Sequence, residues 1–302
     1  MKLAIRDDDI NFHFTPGFIE QNCRSVMDIC PISMAVIPFV MGNWPVNTAL
    51  MEARGPNGLT PDEIRAIHGD RDVKFVGENQ LLVDYLNRGV QSGSICLMMH
   101  GIHHLNLDTE ARDLAGGFAI RAEFNTGRDL TGVLGYALAA MNKIFIRPIE
   151  IFTPPQNSFS TIGMNSVARC GLNICANPPS IYALIDFLES LGLMNWFNYG
   201  RHRLGCKMLG LDLPYPKVMR HKGLKFIDHL SLQPGSNKDL FVSKLNYFIS
   251  RNWDIVISTH SYGFGYSMKG GDQRMGEFLC EVLHSVQRRG NVDFCTLNEL
   301  IG

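Results

Sequence analysis

The feature that most constrains this chain is an alternation. Short apolar runs occur at residues 2–6 (KLAIR), 32–40 (ISMAVIPFV), 94–99 (SICLMM) and 148–153 (PIEIFT). Others follow at 172–176 (LNICA), 224–232 (LKFIDHLSL), 253–259 (WDIVIST) and 292–297 (VDFCTL). Their length and apolar character are those of buried parallel strands. Between most of them lie stretches of helical periodicity, at 17–29, 80–90, 128–143, 159–169, 181–191, 237–250 and 274–288. Strand and helix repeated in this way predict an α/β protein with a mainly parallel sheet. Seven or eight such units in 302 residues suit a distorted (β/α)7-8 barrel better than an open sheet.

Two segments exceed a minimal barrel. Residues 41–79 contain GNWP and RGPNG, and TPDE at Thr60 has the cap, proline and glutamate of a short helix. Residues 193–223 contain NWFNYGRHR and LPYPK. Both read as loop-rich insertions into one domain spanning 1–302, and the aromatics of the second suit stacking on a sugar face.

Charge narrows the partners. Lys plus Arg is 28 against Asp plus Glu 29, so no global basic field draws in nucleic acid or anionic membrane, and any such selectivity must be local. No nucleic-acid partner is expected. No uncharged apolar stretch reaches about 18 residues, so no transmembrane segment is expected. The N-terminus turns acidic at Asp7, unlike a signal peptide, and the expected location is cytoplasmic. Eight cysteines without a CxxC pair read as reduced thiols, several inside apolar runs.

Four polar clusters fall at strand ends: RDDDIN (Arg6 to Asn11), HGIHH (His100 to His104), TPPQN (Thr153 to Asn157) and THSYG (Thr259 to Gly263). In a parallel barrel the C-terminal strand ends converge at one mouth, where active sites form. Each cluster also has an ordinary structural reading, as a solvated turn, a rigid proline turn or a capping histidine. Together they suggest chemistry. Two histidines four apart with one carboxylate make a donor set with open positions, suited to Zn²⁺. Gly101 lets the backbone turn between them, whereas His103 points to the surface or to a supporting role. His260 is placed to act as a general acid. The rigid TPPQN turn would direct a backbone amide near Gln156 and Asn157 at a developing oxyanion.

These clusters, in this order, resemble the polysaccharide deacetylases, metal-dependent carbohydrate esterase and amidase barrels. The closing segment RRGNVDFCTLNELIG is similar to that family's last strand, and residues 122–175 look most like a divergent subgroup with R-x-D-D and H-G-x-x-H motifs. The resemblance implies a metal-dependent deacetylase acting on a carbohydrate. It implies Asp8 as general base, and Asp9, His100 and His104 as metal ligands. A register one residue earlier, with Asp7 as base and Asp8 as ligand, stays open. The later register is preferred because Arg6 and Asp8 share a face of an extended strand, where the guanidinium orients the base. The family's arginine before Pro-Pro is Thr153 here, and its aromatic in that turn is Gln156. Arg6, Gln156, Asn157 and Glu123 are the expected substrate and oxyanion residues, with Glu123 alternatively supporting the site or capping the helix that follows. Asp228 is a candidate for tuning His260. The expected activity is removal of an acyl group, N-acetyl by the resemblance, from a sugar or glycan precursor of the kind used for surface polysaccharide. The alternatives are an amidase for a small non-sugar amide, or a non-catalytic sugar- or metal-binding barrel.

Overall fold

The first strand, β1 (Lys2–Ile10), does not stop before the aspartates but runs through them. It can do so because both edges are paired along most of its length, which leaves its peptide groups satisfied although nearly every residue is buried. The computed structural model describes residues 1–41, 44, 60, 62, 72–105, 122–176, 193–221 and 223–302. After β1 come α1 (Pro16–Met27), β2 (Ile32–Val36), β3 (Phe39–Met41), β4 (Val73–Phe75), α2 (Gln80–Ser92) and β5 (Ile95–His100). Then follow α3 (Thr131–Ile144), β6 (Ile151–Thr153), α4 (Thr161–Arg169), β7 (Asn173–Cys175) and α5 (Leu193–Leu209). The chain continues with β8 (Met219–His221), β9 (Leu224–Ile227), β10 (Leu230–Ser231), α6 (Lys238–Ser250) and β11 (Ile255–Thr259). It closes with α7 (Met275–Gln287), β12 (Asp293–Cys295) and α8 (Leu297–Ile301).

The alternation therefore gives the α/β protein with a mostly parallel sheet that was expected. Three apolar runs are cut for local reasons. Pro38, which has no N–H to donate, separates β2 from the β3–β4 antiparallel pair. Asp228 and His229 separate β9 from β10. Thr296 ends β12 because its hydroxyl and Glu299 form a capping box that starts α8. One expectation is corrected: 193–223 is not loop-rich throughout, since α5 occupies its first half. The helices expected from Thr60 and over 181–191 lie outside the described residues.

The main sheet has the order β10-β11-β1-β2-β5-β6-β7-β9-β8, with β12 also on β1 and only β8–β9 antiparallel. β9 pairs with β7, yet β10, two residues further on, pairs with β11 at the opposite end of that order. The sheet is strongly rolled. Arg6 on β1 donates to the Cys175 carbonyl on β7, four places along the order, at 3.0 Å. In a flat sheet those strands would stand ~19 Å apart, far beyond a side chain's reach. Alternate residues of the strands accordingly split between two cores. Leu3 and Ile5 face the helices in the larger cluster. A smaller one takes Ala4, Ala35, Met98, Ile151, Cys175, Ile227 and Val256, one from each of seven parallel strands, with α8 against them. Among the described residues no helix is long and apolar enough to cross a membrane.

Two helical glycines test the packing with opposite signs. A Cβ at Gly163 of α4 would collide with the backbone carbonyl of Phe124, which cannot yield as a side chain can, whereas one at Gly135 of α3 meets open space. Gly163→Ala should lower unfolding free energy by ~1–3 kcal/mol, and Gly135→Ala should raise it by ~0.5–1 kcal/mol, as read by urea denaturation.

Candidate metal centre

Strand alternation alone would put Asp7 and Asp9 on one side of β1, and Arg6 and Asp8 on the other. Asp9 escapes this because its φ is +73° and the pairing with β2 slips between Asp7 and Ile10. The bulge turns the Asp9 carboxylate towards the strand ends, where two histidines meet it. His100 ends β5, and its Nε2 lies 3.0 Å from Asp9 Oδ1. His104 lies on the loop beyond, with Nε2 at 3.1 Å from the same oxygen. One donor atom from each of these three residues lies within 4.8 Å of the others. Burial opposes charge on Asp9, but His104 and His100 overcome it and hold the carboxyl well below the usual carboxylate range.

The loop is shaped for this. Gly101 has φ +65° and packs so closely on Glu123 and Pro155 that a Cβ would collide with both. Glu123 accepts the backbone N–H of Ile102 (2.8 Å), His103 (2.8 Å) and His104 (3.2 Å). Both its oxygens are thus spent on the loop, and the residue is buried. Of the roles open to Glu123, these bonds are those of a residue that supports the site by holding the histidine loop. His103 turns away and bonds to the Phe39 carbonyl through Nδ1 at 2.8 Å. His100 Nδ1 faces the Thr153 carbonyl at 3.0 Å. A carbonyl only accepts, so Nδ1 carries the proton, and Nε2 is the nitrogen available for a ligand.

Arg6 is fully buried and sits at the centre of the polar groups. Its Nη2 donates to Asp8 Oδ2 at 2.7 Å and to Asn157 Oδ1 at 3.0 Å, while Nη1 reaches the Cys175 carbonyl and lies 3.4 Å from His229 Nδ1. Arg6 thus holds both Asp8 and Asn157, because a guanidinium without contact to water takes the acceptors within its reach. Asp8 Oδ1 is buried without a hydrogen-bond partner in the structure. The Asn157 N–H is spent on the Pro154 carbonyl at 3.0 Å, leaving the Gln156 amide as the oxyanion candidate in that turn. Gln156 Nε2 lies 3.3 Å from His104 Nδ1, and its Oε1 is buried with no partner. Five non-glycine residues among those described have positive φ, and Asp9, His104, Gln156 and Asn157 are four of them. Backbone strain gathered at one spot is characteristic of sites that do chemistry.

His260 stands across from the histidine pair, Nε2 3.5 Å from Asp9 Oδ2 and a quarter exposed. Two neighbours escaped the sequence reading. Tyr262 donates to Asp9 Oδ2 at 3.1 Å; its place two residues after His260 was the available signal. His229 is buried beside Arg6, and the polar interruption of an apolar run could have marked it. Burial, with the Arg6 and His260 charges, holds His229 well below the usual imidazole range. Asp7 takes no part in the cluster. It is buried, accepts the Ser261 N–H at 2.6 Å, and burial pushes its carboxyl well up. Asp228 accepts the N–H groups of Tyr215 (2.9 Å) and His229 (2.8 Å), so both oxygens are occupied by backbone rather than by His260.

Comparison with protein-family models gives no match, and no curated protein matches the chain. Solved structures do resemble it. A putative polysaccharide deacetylase from Mycobacterium smegmatis has 9% identity over 99% of this chain and 89% of that one, with a TM-score of 0.47. A family 4 acetyl xylan esterase from Clostridium thermocellum, in complex with a cobalt ion, has 9% identity over 99% and 90%, with a TM-score of 0.42. A CE4 family pseudoenzyme from Bacillus anthracis has 10% identity over 100% of this chain, which spans 65% of that protein's length, with a TM-score of 0.43. Likeness at this level does not bear on the chemistry of the chain.

Burial pushes Asp228 up to about 7 from 3.8. Between those values the unfolded chain binds fewer protons than the folded one, so stability falls as pH rises through the window. The Asp228→Asn variant has no such proton to lose. Its stability relative to the parent should therefore improve from pH 4 to pH 7, by on the order of 1 kcal/mol per pH unit at most, measured by denaturant titration of both proteins at each pH.

Proposed function

We propose that this chain is a metal-dependent hydrolase that removes an acyl group, N-acetyl by the resemblance of its motifs, from a sugar or glycan precursor. It works within one barrel domain spanning residues 1–302. Two observations support the barrel: the smaller core draws one side chain from each of seven strands, and residues 224–231 pair with both ends of the sheet. The observation that carries the activity is the convergence of Asp9, His100 and His104 beside a second carboxylate, Asp8, tethered by a buried arginine.

The donor set fits a divalent ion. One carboxylate oxygen and two imidazole nitrogens meet at one point, His100 is oriented by a carbonyl behind it, and open positions are left for reactants. Asp9, His100 and His104 would hold the ion. When bound, an ion of this class, Zn²⁺ by donor type, supplies Lewis acidity towards a carbonyl and towards water.

The remaining steps belong to the protein. Asp8 is held by Arg6 through Oδ2, which leaves Oδ1 to accept the proton of the attacking water. The Gln156 amide offers a hydrogen bond to the oxyanion as the carbonyl carbon becomes tetrahedral. His260, partly open to solvent, gives a proton to the departing amine. Arg6 positions the base from within β1, a role that explains how the turn tolerates Thr153 where the resembling family has arginine.

Elemental analysis of protein purified without added metal or chelator tests the reading. About one equivalent of a divalent ion is expected in the parent and none in His104→Ala. Absence of metal from both, even after dialysis against zinc, would leave a structural or binding barrel. On N-acetylated sugars, Asp8→Asn should keep the ion and lose on the order of 10²–10⁴ in rate; unchanged turnover would remove Asp8 from the mechanism. Glu123→Ala frees the histidine loop and should weaken metal affinity by ~10–100-fold, read by competition with a chromophoric chelator.

A further inference from the structure

Helix α5 has two apolar sides. Tyr199, His202 and Cys206 pack inward, with Tyr199 and His202 rings each 5.4 Å from Tyr215 and the Cys206 thiol 3.4 Å from His202. Phe197, Leu204 and Met208 recur at spacings of seven and four, which places them together on the opposite side, about half a turn away. They are 58%, 60% and 80% exposed. A surface helix normally presents polar residues there, and an exposed apolar stripe of this kind marks a binding surface.

Its charge identifies the partner. The chain is balanced overall, yet α5 itself, residues 193–209, carries three Lys or Arg and no acid, the first acid beyond it being Asp212. Asp212 is engaged with Arg203 at 3.2 Å. Arg201 and Lys207, both exposed, flank the apolar stripe on its two sides. A cationic border around an apolar stripe matches an anionic lipid surface, which accepts the side chains among its acyl chains and the cations among its headgroups. A second copy of this chain fits less well, because a two-fold contact through this face would set the Arg201 and Lys207 cations of one copy against those of the other.

We propose that α5 docks this protein on anionic membrane surfaces, with Phe197, Leu204 and Met208 inserted and Arg201 and Lys207 on the headgroups. On its inner side the helix is held to the body of the protein: Tyr199 packs on Tyr215, whose N–H is held by Asp228. The inference does not depend on the hydrolase reading.

The test is co-sedimentation of the full chain with phosphatidylcholine vesicles, with and without phosphatidylglycerol, at low and at physiological salt. Binding to the anionic vesicles only, weakened by salt, is expected. Leu204→Ser/Met208→Ser and Arg201→Ala/Lys207→Ala should each reduce vesicle affinity by about tenfold or more. Both pairs are exposed, so unchanged circular dichroism and metal content should accompany the loss. Failure of the parent chain to sediment with anionic vesicles overturns the proposal. So does equal binding to neutral vesicles, or binding that both variants leave intact. Concentration-dependent dimerisation abolished by Leu204→Ser/Met208→Ser overturns it too, and assigns the face to self-association.

Discussion

The buried guanidinium of Arg6 is the interaction on which the centre of this molecule depends. An arginine with no exposed surface is costly unless its donors are met, and here the two Nη atoms reach Asp8, Asn157 and the Cys175 carbonyl, while Nε is buried without a hydrogen-bond partner. Those partners belong to β1, to the turn after β6 and to β7. One side chain thus links the carboxylate beside the histidines to the proline turn and to the far side of the rolled sheet. Removing it would leave Asp8 as an uncompensated buried charge, which destabilises more than the pair itself stabilises.

Around that cation three consecutive carboxylates take three different fates. Three negative charges in adjacent buried positions would repel one another strongly, so the structure does not keep them equivalent. Asp7 faces Ser261 and is pushed towards its neutral form. Asp8 is neutralised by Arg6. Asp9, turned by its left-handed backbone, finds the histidines and Tyr262. The strain at Asp9, roughly 1–2 kcal/mol for a non-glycine residue in that region, is offset by contacts available nowhere else on the strand. Separate environments thus make three neighbouring acids on one strand end chemically distinct.

The sequence made the sheet and the histidine pair legible because both rest on spacing. Buried parallel strands leave unbroken apolar runs, and HGIHH can be read as a donor set without knowing where the partner carboxylate lies. What escaped depends on geometry that no spacing encodes. The bulge at Asp9 has no glycine to announce it, and this is why the aspartates looked like a turn after the strand rather than part of it. Helix α5 is hard to see in the sequence because Gly200, Gly205 and a run of aromatics weaken its pattern, and because apolar residues on two opposite faces erase the amphipathic signal. The role of Glu123 was obscured for another reason: its partners are backbone amides, which any loop sequence would provide.

The two histidines of the cluster are not equivalent, and the difference lies in what stands behind each ring. His100 has a main-chain carbonyl at Nδ1, a partner that only accepts, so its tautomer is set by the fold. His104 has the carboxamide of Gln156, which presents a donor or an acceptor according to how the amide is turned. In the arrangement seen here the amide nitrogen faces the ring, and Oε1 is left buried without a partner. Turning the amide would satisfy Oε1 with an Nδ1 proton and free Nε2 of His104 for a ligand. One ring is therefore oriented by the β-sheet itself, and the other faces a side chain on a strained turn. Of the two rings, His104 is the one whose protonated nitrogen changes with the turn of a neighbouring side chain, that of Gln156.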